Sequence, residues 1–334
     1  MSARRKSIVV TGGAGFIGSN ILADLEARAS HELVVCDRLG SEDKWRNLAK
    51  RELTDIVRPE ALFDFLAAEA GRIEAIVHMG ACTSTTERNA DLVLESNIRL
   101  SVDLWNWCTA QGVRFIYASS AATYGDGAQG FDDDLSPEAL ARLRPLNAYG
   151  WSKHLVDRRV ARVMAESGER PPQWAGLKFF NVFGANEYHK GEMRSVIAKK
   201  YELIAQGKPV TLFKSHRPEY PDGGQKRDFV SVDDAVAVVL WLIERPEISG
   251  LFNVGTGQAC SFRELFDAAF EAAGIPPAIK YIDMPVELRG RYQYFTQADL
   301  TRLRAAGFTR PFTPAPEAVR RYVADYLRRP DPYR

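Results

Sequence analysis

The chain has 334 residues, of which 46% are hydrophobic and 26% are charged, and its formal net charge at pH 7 is +1. This composition is typical of a globular chain, and a net charge near zero gives no sign of the basic surface that nucleic acids bind. No apolar run in the sequence approaches the roughly 20 residues needed to span a bilayer. We therefore expect a small-molecule ligand, with no nucleic-acid partner and no membrane partner.

The cysteine pattern gives no sign of a metal site or a disulfide framework. The four cysteines are spread from residue 36 to residue 260, and no two of them form a CxxC pair. Zinc knuckles and disulfide frameworks need clustered or regularly spaced cysteines. We expect no metal, and a reducing cytoplasm fits this chain best.

The first half of the chain alternates short apolar runs with longer helical patterns. The apolar runs are SIVV, ELVVCD, AIVHMGA and VRFIYASS, and the helical patterns include FIGSNILADLEARA and DLVLESNIRLSVDLWNWCTAQG. Strands with little polar alternation are typical of a parallel sheet that is buried on both faces. The order predicts the α/β class, with a Rossmann-like, doubly wound parallel sheet.

After about residue 185 the alternation weakens. Helical patterns such as SVIAKKYELIAQ and SFRELFDAAFEAAG mix there with isolated strands such as PVTLF and GLFNVG. We predict a nucleotide-binding domain over residues 1–180 and a smaller C-terminal α/β domain, mainly for substrate, over residues 181–334. We also expect the chain to return to the first domain around residues 225–257.

A glycine-rich turn follows the first predicted strand. Residues 11–18 read TGGAGFIG, and a helical pattern follows them directly. Glycines with this spacing allow a tight turn and a close backbone approach to a pyrophosphate, which the N-terminus of the helix attracts. The turn therefore predicts a dinucleotide site at Gly12, Gly15, Phe16, Ile17 and Gly18.

The end of the second predicted strand bears on which dinucleotide binds. Asp37 would accept hydrogen bonds from the adenosine ribose hydroxyls, which favours NAD. Arg38 and Lys44 follow closely, and two cations at that edge would hold a 2′-phosphate, which favours NADP. A solvated loop is an equally simple interpretation of both cations, so the residues alone leave the choice open.

A tyrosine and a lysine indicate proton chemistry. Tyr149 and Lys153 stand four residues apart in YGWSK, on one face of a predicted helix, and Ser119 and Ser120 end the strand upstream. A phenol has a pKa of about 10, and an ammonium roughly 4 Å away favours the phenolate by up to about 4 kcal/mol. We predict that Tyr149 takes a proton from an alcohol beside Lys153, while Ser120 or, less favourably, Ser119 holds the oxygen.

These motifs resemble those of a known family. TGGAGFIG, ASSAATYG, YGWSK and RDFVSVDD resemble the extended short-chain dehydrogenase/reductases, in the branch that acts on nucleotide sugars. The longer strings HMGACTSTTE, PLNAYGWSK, FFNVFGANEYHKGEM, KRDFV and GRYQYFTQADL resemble the epimerases of ADP-heptoses within that branch. The resemblance covers nearly the full chain.

The resemblance implies an isomerase with no net redox change. Bound NADP would remove a hydride from C6 of ADP-D-glycero-β-D-manno-heptose and return it to the same carbon, which yields the L-glycero epimer for the lipopolysaccharide core. NAD is the alternative cofactor. A homopentamer is the assembly that the resemblance implies.

The resemblance also assigns roles by position. Tyr149, Lys153 and Ser120 would form one catalytic group, and Lys190, in the polar stretch FGANEYHKGEM, would act as a second acid/base on the opposite face of the sugar. Taken alone, that stretch is most simply a solvated loop. Further cofactor contacts are implied at Asn97, Val182 and His189, and substrate contacts at Asn181, Glu192, Lys199, Phe213, Arg227 and Tyr292.

The chain departs from the family pattern in the same stretch. Tyr188 stands where relatives have a glycine, and Glu192 stands where they have a small hydroxyl residue. We expect Glu192 to pair with Lys190 and to raise its pKa, and these departures would shift the substrate preference.

Three other functions compete with this interpretation. A UDP-sugar 4-epimerase would share the fold and the Tyr–Lys pair but would not need a lysine loop. A 4,6-dehydratase needs a carboxylic acid directly after the strand-end serine, where this chain has Ala121 and Ala122. A non-catalytic NADP-sensing protein would bind the cofactor and convert no sugar.

Overall fold

The structure is a computed structural model that describes residues 5–166, 168–289 and 292–334. Its strands are β1 (Ser7–Thr11), β2 (Glu32–Cys36), β3 (Asp55–Val57), β4 (Ile73–His78), β5 (Arg114–Ser120), β6 (Trp174–Phe179), β7 (Asn181–Phe183), β8 (Val210–Phe213), β9 (Lys226–Arg227), β10 (Phe229–Ser231), β11 (Gly250–Val254), β12 (Cys260–Ser261) and β13 (Ile279–Ile282).

Its helices are α1 (Phe16–Arg28), α2 (Leu62–Glu69), α3 (Ala90–Val93), α4 (Leu100–Gln111), α5 (Pro137–Arg142), α6 (Ala148–Ala165), α7 (Val196–Ala205), α8 (Val232–Glu244), α9 (Phe262–Ala273), α10 (Val286–Arg289), α11 (Thr301–Ala305) and α12 (Ala315–Tyr322). A π-helical turn, Leu94–Arg99, joins α3 to α4, and short 3₁₀ turns at Asp43–Asn47 and Tyr188–Met193 lie beside the candidate site.

The central sheet has the predicted doubly wound order. Within the described residues it consists of seven parallel strands in the order β3–β2–β1–β4–β5–β6–β11. The strand order reverses between β1 and β4, and ligands of such sheets bind in the crevice at the carboxyl ends of the strands near that point. The predicted α/β, Rossmann-like class is therefore confirmed.

The apolar runs bury both faces of this sheet. Ile8 and Val10 of β1 pack with α1 and α8, whereas Val9 faces the opposite layer, which contains α4 and α6. Successive side chains of a strand point to opposite faces, so a strand between two helical layers must be apolar at every position.

A smaller α/β region has a core of its own. Helices α7, α9 and α12 and the parallel pair β8–β13 share a separate core, which includes Ile204, Phe266, Phe270 and Val319. No helix of the described ranges combines the length and the apolarity that a membrane span requires.

One strand of the second half belongs to the central sheet. GLFNVG has no evident partner in the sequence, but it lies in the range where the chain was expected to return to the first domain; as β11 it pairs in register with β6, Gly250 opposite Ala175 and Val254 opposite Phe179, and forms the edge of the central sheet. Helix α8, just before it, packs on α1. Pairing along the strand decided this location, and the local pattern of residues contains no information about the pairing partner.

Candidate active site

Most of the predicted site residues line one cavity of about 600 Å³ at the carboxyl ends of the central strands. The cavity brings together residues from the glycine-rich turn, α6 and the polar stretch around Lys190, which lie far apart in the sequence. The predicted residues that line it are Gly12, Gly15, Phe16, Ile17, Gly18, Asp37, Lys44, Ser120, Tyr149, Lys153, Asn181, Val182, His189 and Lys190. Arg38, Asn97, Glu192, Lys199, Phe213, Arg227 and Tyr292 do not line it.

The glycine-rich turn is shaped for phosphate groups. Gly12 has a positive φ of 66°, and a Cβ built on Gly18 would lie 2.2 Å from the Gly12 carbonyl oxygen, so neither position accepts a side chain. Gly15 caps α1 without any side-chain hydrogen bond, which leaves the first N–H groups of the helix available to a ligand. The residues present therefore fit a dinucleotide pyrophosphate.

Asp37 is held at the rim of the cavity by its neighbours. One carboxylate oxygen accepts a hydrogen bond of 2.9 Å from the backbone N–H of Ala14, and the other lies 2.6 Å from Nζ of Lys44. The Arg38 guanidinium points away and pairs with Glu60. A cation thus lies against this carboxylate.

Tyr149 and Lys153 lie on the first turns of α6, as predicted. Asn147 caps this helix by accepting a hydrogen bond of 2.8 Å from the N–H of Gly150. Burial raises the pKa of the Tyr149 phenol, and its hydrogen bond with Ser120 acts in the opposite direction. Burial lowers the pKa of Lys153 to about 8. The expected lowering of the Tyr149 pKa by Lys153 is therefore wrong for the protein chain alone, because burial dominates.

The two strand-end serines have different partners. The Ser119 hydroxyl donates a hydrogen bond of 2.7 Å to Asp157, whereas Ser120 is hydrogen-bonded to Tyr149. Asp157 also pairs with Lys178 at 3.1 Å, and both side chains are fully buried. The pattern of residues around YGWSK did not indicate Asp157 or Lys178, because their pairing depends on β6 lying beside β5.

Asn97 is buried beside the cavity and bonds to the protein itself. Its side-chain amide donates hydrogen bonds of 3.0 Å to the Cys82 carbonyl and to Oγ of Ser152, and its carbonyl oxygen accepts a bond of 2.8 Å from the Cys82 N–H. Ser152 in turn donates to the Tyr149 carbonyl at 2.7 Å. Asn97 therefore connects the loop after β4 to the first turn of α6.

Lys190 is not a solvated lysine. Its Nζ lies 5.4 Å from the centre of the Phe16 ring, and burial lowers its pKa while the nearby Glu187 raises it. The expected pairing with Glu192 is wrong: the Glu192 side chain is 93% exposed and its carboxylate lies 3.8 Å from Nζ of Lys199. The backbone turns sharply at Gly191, with φ of 52°, so consecutive residues of this loop face different surroundings.

His189 contacts the glycine-rich turn through Asn47. The Asn47 side chain donates to the carbonyl oxygens of Ala14, at 2.9 Å, and Asn186, at 3.1 Å, and its nitrogen lies 3.1 Å from Nδ1 of His189. Burial lowers the pKa of His189 to about 4, so the ring is neutral at pH 7. Sequence reasoning missed Asn47, since no motif surrounds it.

The remaining predicted substrate residues form an aromatic cluster around Arg227. The guanidinium lies 5.3 Å from the ring centre of Tyr292 and 5.9 Å from that of Phe262, and Phe213 packs edge-on against Tyr292. Asp228 does not pair with it, because its carboxylate accepts hydrogen bonds from Thr256, Gly257 and Ala298. Among the side chains that the structure describes, no carboxylate pairs with the buried Arg227.

This cluster connects to the cavity through β7. Asn181 pairs with Phe229 of β10, and its backbone N–H donates to the Asp228 carbonyl at 3.1 Å. In the part of the chain that the structure describes, no group of three or more His, Cys, Asp or Glu residues is arranged to hold a metal ion.

Comparison with known proteins identifies the family. The model of the NAD dependent epimerase/dehydratase family matches residues 8–255. The ADP-L-glycero-D-manno-heptose-6-epimerase of Nitratidesulfovibrio vulgaris is 47% identical over 327 residues, which are 97% of this chain and 99% of that protein.

Solved structures share the same fold. The crystal structure of the Helicobacter pylori ADP-L-glycero-D-manno-heptose-6-epimerase has a TM-score of 0.78 at 25% identity and covers 96% of each chain. A Thermus thermophilus UDP-glucose 4-epimerase in complex with NAD has a TM-score of 0.71 at 26% identity and covers 95% of this chain and 97% of its own. The resemblance drawn from the motifs is confirmed. The chain belongs to the NAD dependent epimerase/dehydratase family, and within it is an epimerase that uses a nicotinamide cofactor.

Proposed function

We propose that this protein inverts C6 of an ADP-heptose, from ADP-D-glycero-β-D-manno-heptose to the L-glycero epimer. One observation carries the proposal: Tyr149 and Lys190 come from different elements and line the same cavity, which the glycine-rich turn also lines. The full-length similarity to proteins named for this reaction supports the same substrate.

The two sides of the reaction need two proton carriers. A nicotinamide cofactor, when bound, would supply the acceptor and donor of hydride at C6, so that the hydride leaves and returns at the same carbon. On the first side, Tyr149 takes the proton of the C6 hydroxyl, with Ser120 hydrogen-bonded to its phenol oxygen and Lys153 lining the same cavity. After the ketone turns over, Lys190 gives a proton to the oxygen on the other side, and no net oxidation results.

The state of Lys190 suits this role. Burial of Lys190 favours the neutral amine, while Glu187 opposes that effect. A lysine with a lowered pKa exchanges protons near neutral pH more readily than a solvated one. Met193 and His189 line the cavity beside it.

We further propose that Arg227 and Tyr292 hold the diphosphate of the substrate. A buried guanidinium without a carboxylate partner favours an anionic ligand, and its planar fork matches two phosphate oxygens. Asn181, Phe213, Lys199 and Glu192 stay predicted substrate contacts. Residues 181–334 would then form the main substrate-binding part, and residues 1–180 the main cofactor-binding part.

NADP is our proposed cofactor, with NAD as the alternative. The contact between Lys44 and Asp37 supports NADP, because the ammonium offsets the repulsion between the carboxylate and a 2′-phosphate. For Arg38 to contact the 2′-phosphate together with Lys44, its ion pair with Glu60 would have to break. Both side chains of that pair are largely exposed. Asn97 lines no part of the cavity, so its proposed effect on the cofactor acts through the Cys82 loop.

A product assay tests the function. Purified protein is incubated with ADP-D-glycero-β-D-manno-heptose, and with UDP-galactose in a parallel tube, and proton NMR follows the configuration of each sugar. We expect the L-glycero epimer to form without added cofactor. Conversion of UDP-galactose alone would favour a UDP-sugar 4-epimerase, and cofactor binding without conversion of either sugar would favour an NADP sensor.

The assembly and the location stay predictions. Light scattering after size-exclusion chromatography tests the homopentamer. The four cysteines are all free thiols, which supports a reducing cytoplasm as the site of the reaction.

A further inference from the structure

Residues 331–334 lie against the loop that carries Lys190. We call Asp331–Arg334 the strap, and Tyr188–Met193 the lysine loop. The strap is separated from this loop by more than a hundred residues of sequence, yet it bonds to the loop, to the residues just before it and to the 3₁₀ turn Asp43–Asn47 near the cofactor site.

Aromatic packing joins the strap to the lysine loop. The rings of Tyr188 and Tyr333 meet edge to face with their centres 5.2 Å apart, and the Tyr188 hydroxyl donates a hydrogen bond of 3.0 Å to the Pro332 carbonyl. Tyr333 is only 8% exposed, so the ring is part of the packed structure. Tyr188 directly precedes His189 and Lys190, and its position therefore sets where the lysine emerges.

A second contact holds the residue at the entrance to the loop. The backbone N–H of Arg334 donates a hydrogen bond of 2.9 Å to Oδ1 of Asn186. Asn186 has a positive φ of 70°, an unusual conformation that its buried side chain helps to hold through a bond of 3.0 Å to Ser19. The Arg334 guanidinium is itself anchored by Asp24 and Asp233.

The opposite side of the strap contacts Arg46, in the turn that contains Lys44, and Lys50, just after that turn. Nζ of Lys50 donates to the Tyr333 carbonyl at 2.6 Å and lies 2.9 Å from the Asp331 carboxylate. The Arg46 guanidinium lies 4.5 Å from the centre of the Tyr333 ring. Tyr333 is thus packed between a cation of the cofactor-side turn and the aromatic ring of the lysine loop.

We propose that the strap is a positioning element for catalysis, in which Tyr333 and Arg334 hold the lysine loop so that Lys190 faces the cavity. This inference rests on the proposed role of Lys190. Glu187 fastens the other side of the loop, because its carboxylate accepts bonds from Gly184 and Ser195. The loop itself contains Gly191 in a left-handed conformation, so it depends on these outside contacts for its shape.

The test compares Tyr333→Ala and Arg334→Ala with the unchanged protein. We expect kcat to fall by about tenfold to a hundredfold in Tyr333→Ala, because small displacements of a proton carrier have effects of that size. Tyr333→Phe keeps the ring between Tyr188 and Arg46 and is expected to restore kcat. Arg329→Ala, an exposed change just before the strap, serves as the matched control.

A second measurement reports on Lys190 without using activity. An amine-reactive acetylating reagent is applied briefly at neutral pH, and peptide mass spectrometry gives the labelling rate of each lysine. In Tyr333→Ala, labelling of Lys190 should accelerate while that of Lys153, buried in α6, stays unchanged, which separates a displaced loop from general unfolding.

Two outcomes would overturn the proposal. If Lys190 labelling and kcat are both unchanged in Tyr333→Ala and Arg334→Ala, the strap does not hold the lysine loop. If labelling is faster but kcat is unchanged, the strap holds the loop but has no part in catalysis. If Lys190→Met itself is fully active, the proposed role of Lys190 fails, and the labelling experiment still shows whether the strap holds the loop.

Discussion

The ammonium of Lys178 lies 3.1 Å from the carboxylate of Asp157, and both side chains are completely buried beneath the candidate active site. The Asp157 carboxylate also accepts hydrogen bonds from the hydroxyls of Ser119 and Tyr117, and the Lys178 ammonium donates one of 2.7 Å to the Thr123 hydroxyl. It therefore ties α6 to the ends of β5 and β6.

We expect Lys178→Met to lower the free energy of unfolding by about 3–5 kcal/mol, because it leaves a buried carboxylate without its cation. Lys178→Arg, which keeps the positive charge, should lower the free energy of unfolding by less. Urea unfolding followed by circular dichroism measures both. The double variant Asp157→Leu with Lys178→Met should recover part of the loss, and equal stability of the single and double variants would contradict this account.

Tyr149→Phe and Lys190→Met should each abolish epimerisation and leave the cofactor bound. Removing a positioned acid/base costs about 10²- to 10⁴-fold in rate. Initial rates of epimer formation measure the loss, and the absorbance of cofactor released from denatured protein measures retention. Lys208→Met, at an exposed lysine, is the control, and near-normal turnover of Lys190→Met would remove the two-base mechanism.

NADP should bind more tightly than NAD to protein freed of cofactor. Replacing Lys44 by Met should remove most of this preference, since a 2′-phosphate loses an adjacent cation. Isothermal titration with each dinucleotide measures both affinities, and Arg38→Ala tests whether the second cation contributes. Equal affinities in the unchanged protein would argue for NAD.

Lys153 should make stability depend on pH in one window. Its folded pKa of about 8 is below the value of about 10.4 in an unfolded chain, so between these values the unfolded state binds more protons and stability rises with pH. Below pH 8 the burial of the charged lysine costs about 3 kcal/mol. Lys153→Met should therefore gain stability over the unchanged protein at pH 7 and much less at pH 10, as chemical denaturation at both values would show. A stability gain that is the same at pH 7 and pH 10 would contradict the lowered pKa of Lys153.

Arg227→Met should weaken substrate binding without weakening the fold. The loss of hydrogen bonds from a charged donor raises KM by about 10- to 100-fold, while a buried guanidinium that has no carboxylate partner in the described structure contributes little to stability. Kinetics and thermal unfolding give the two results. Lys226→Met, one residue away and exposed, is the control, and a large fall in melting temperature for Arg227→Met would mean that Arg227 is structural.

Local patterns were enough to predict the fold class and much of the cavity. Three signals were each contained in a short segment of the chain: the glycine-rich turn, the four-residue spacing of Tyr149 and Lys153, and the apolar runs of the strands. For the same reason, the family could be recognised from short strings of residues.

Contacts between residues distant in sequence were decided by the tertiary structure alone. Two glutamates flank Lys190, and the sequence favoured Glu192, but the turn at Gly191 directs Glu192 into solvent while Glu187 lies buried beside the lysine. Likewise, the pKa of Tyr149 depends on how deeply α6 is buried, which no spacing reveals.

The sequence by itself determined which chemical groups this protein has and the local segments that present them. Only the tertiary structure decided which groups meet: Ser119 with Asp157, Asn47 with His189, and Tyr333 with the lysine loop. The physical reason is that these contacts come from packing between elements far apart in the chain, and a side chain's partner, burial and pKa are set by that packing and not by its neighbours in sequence.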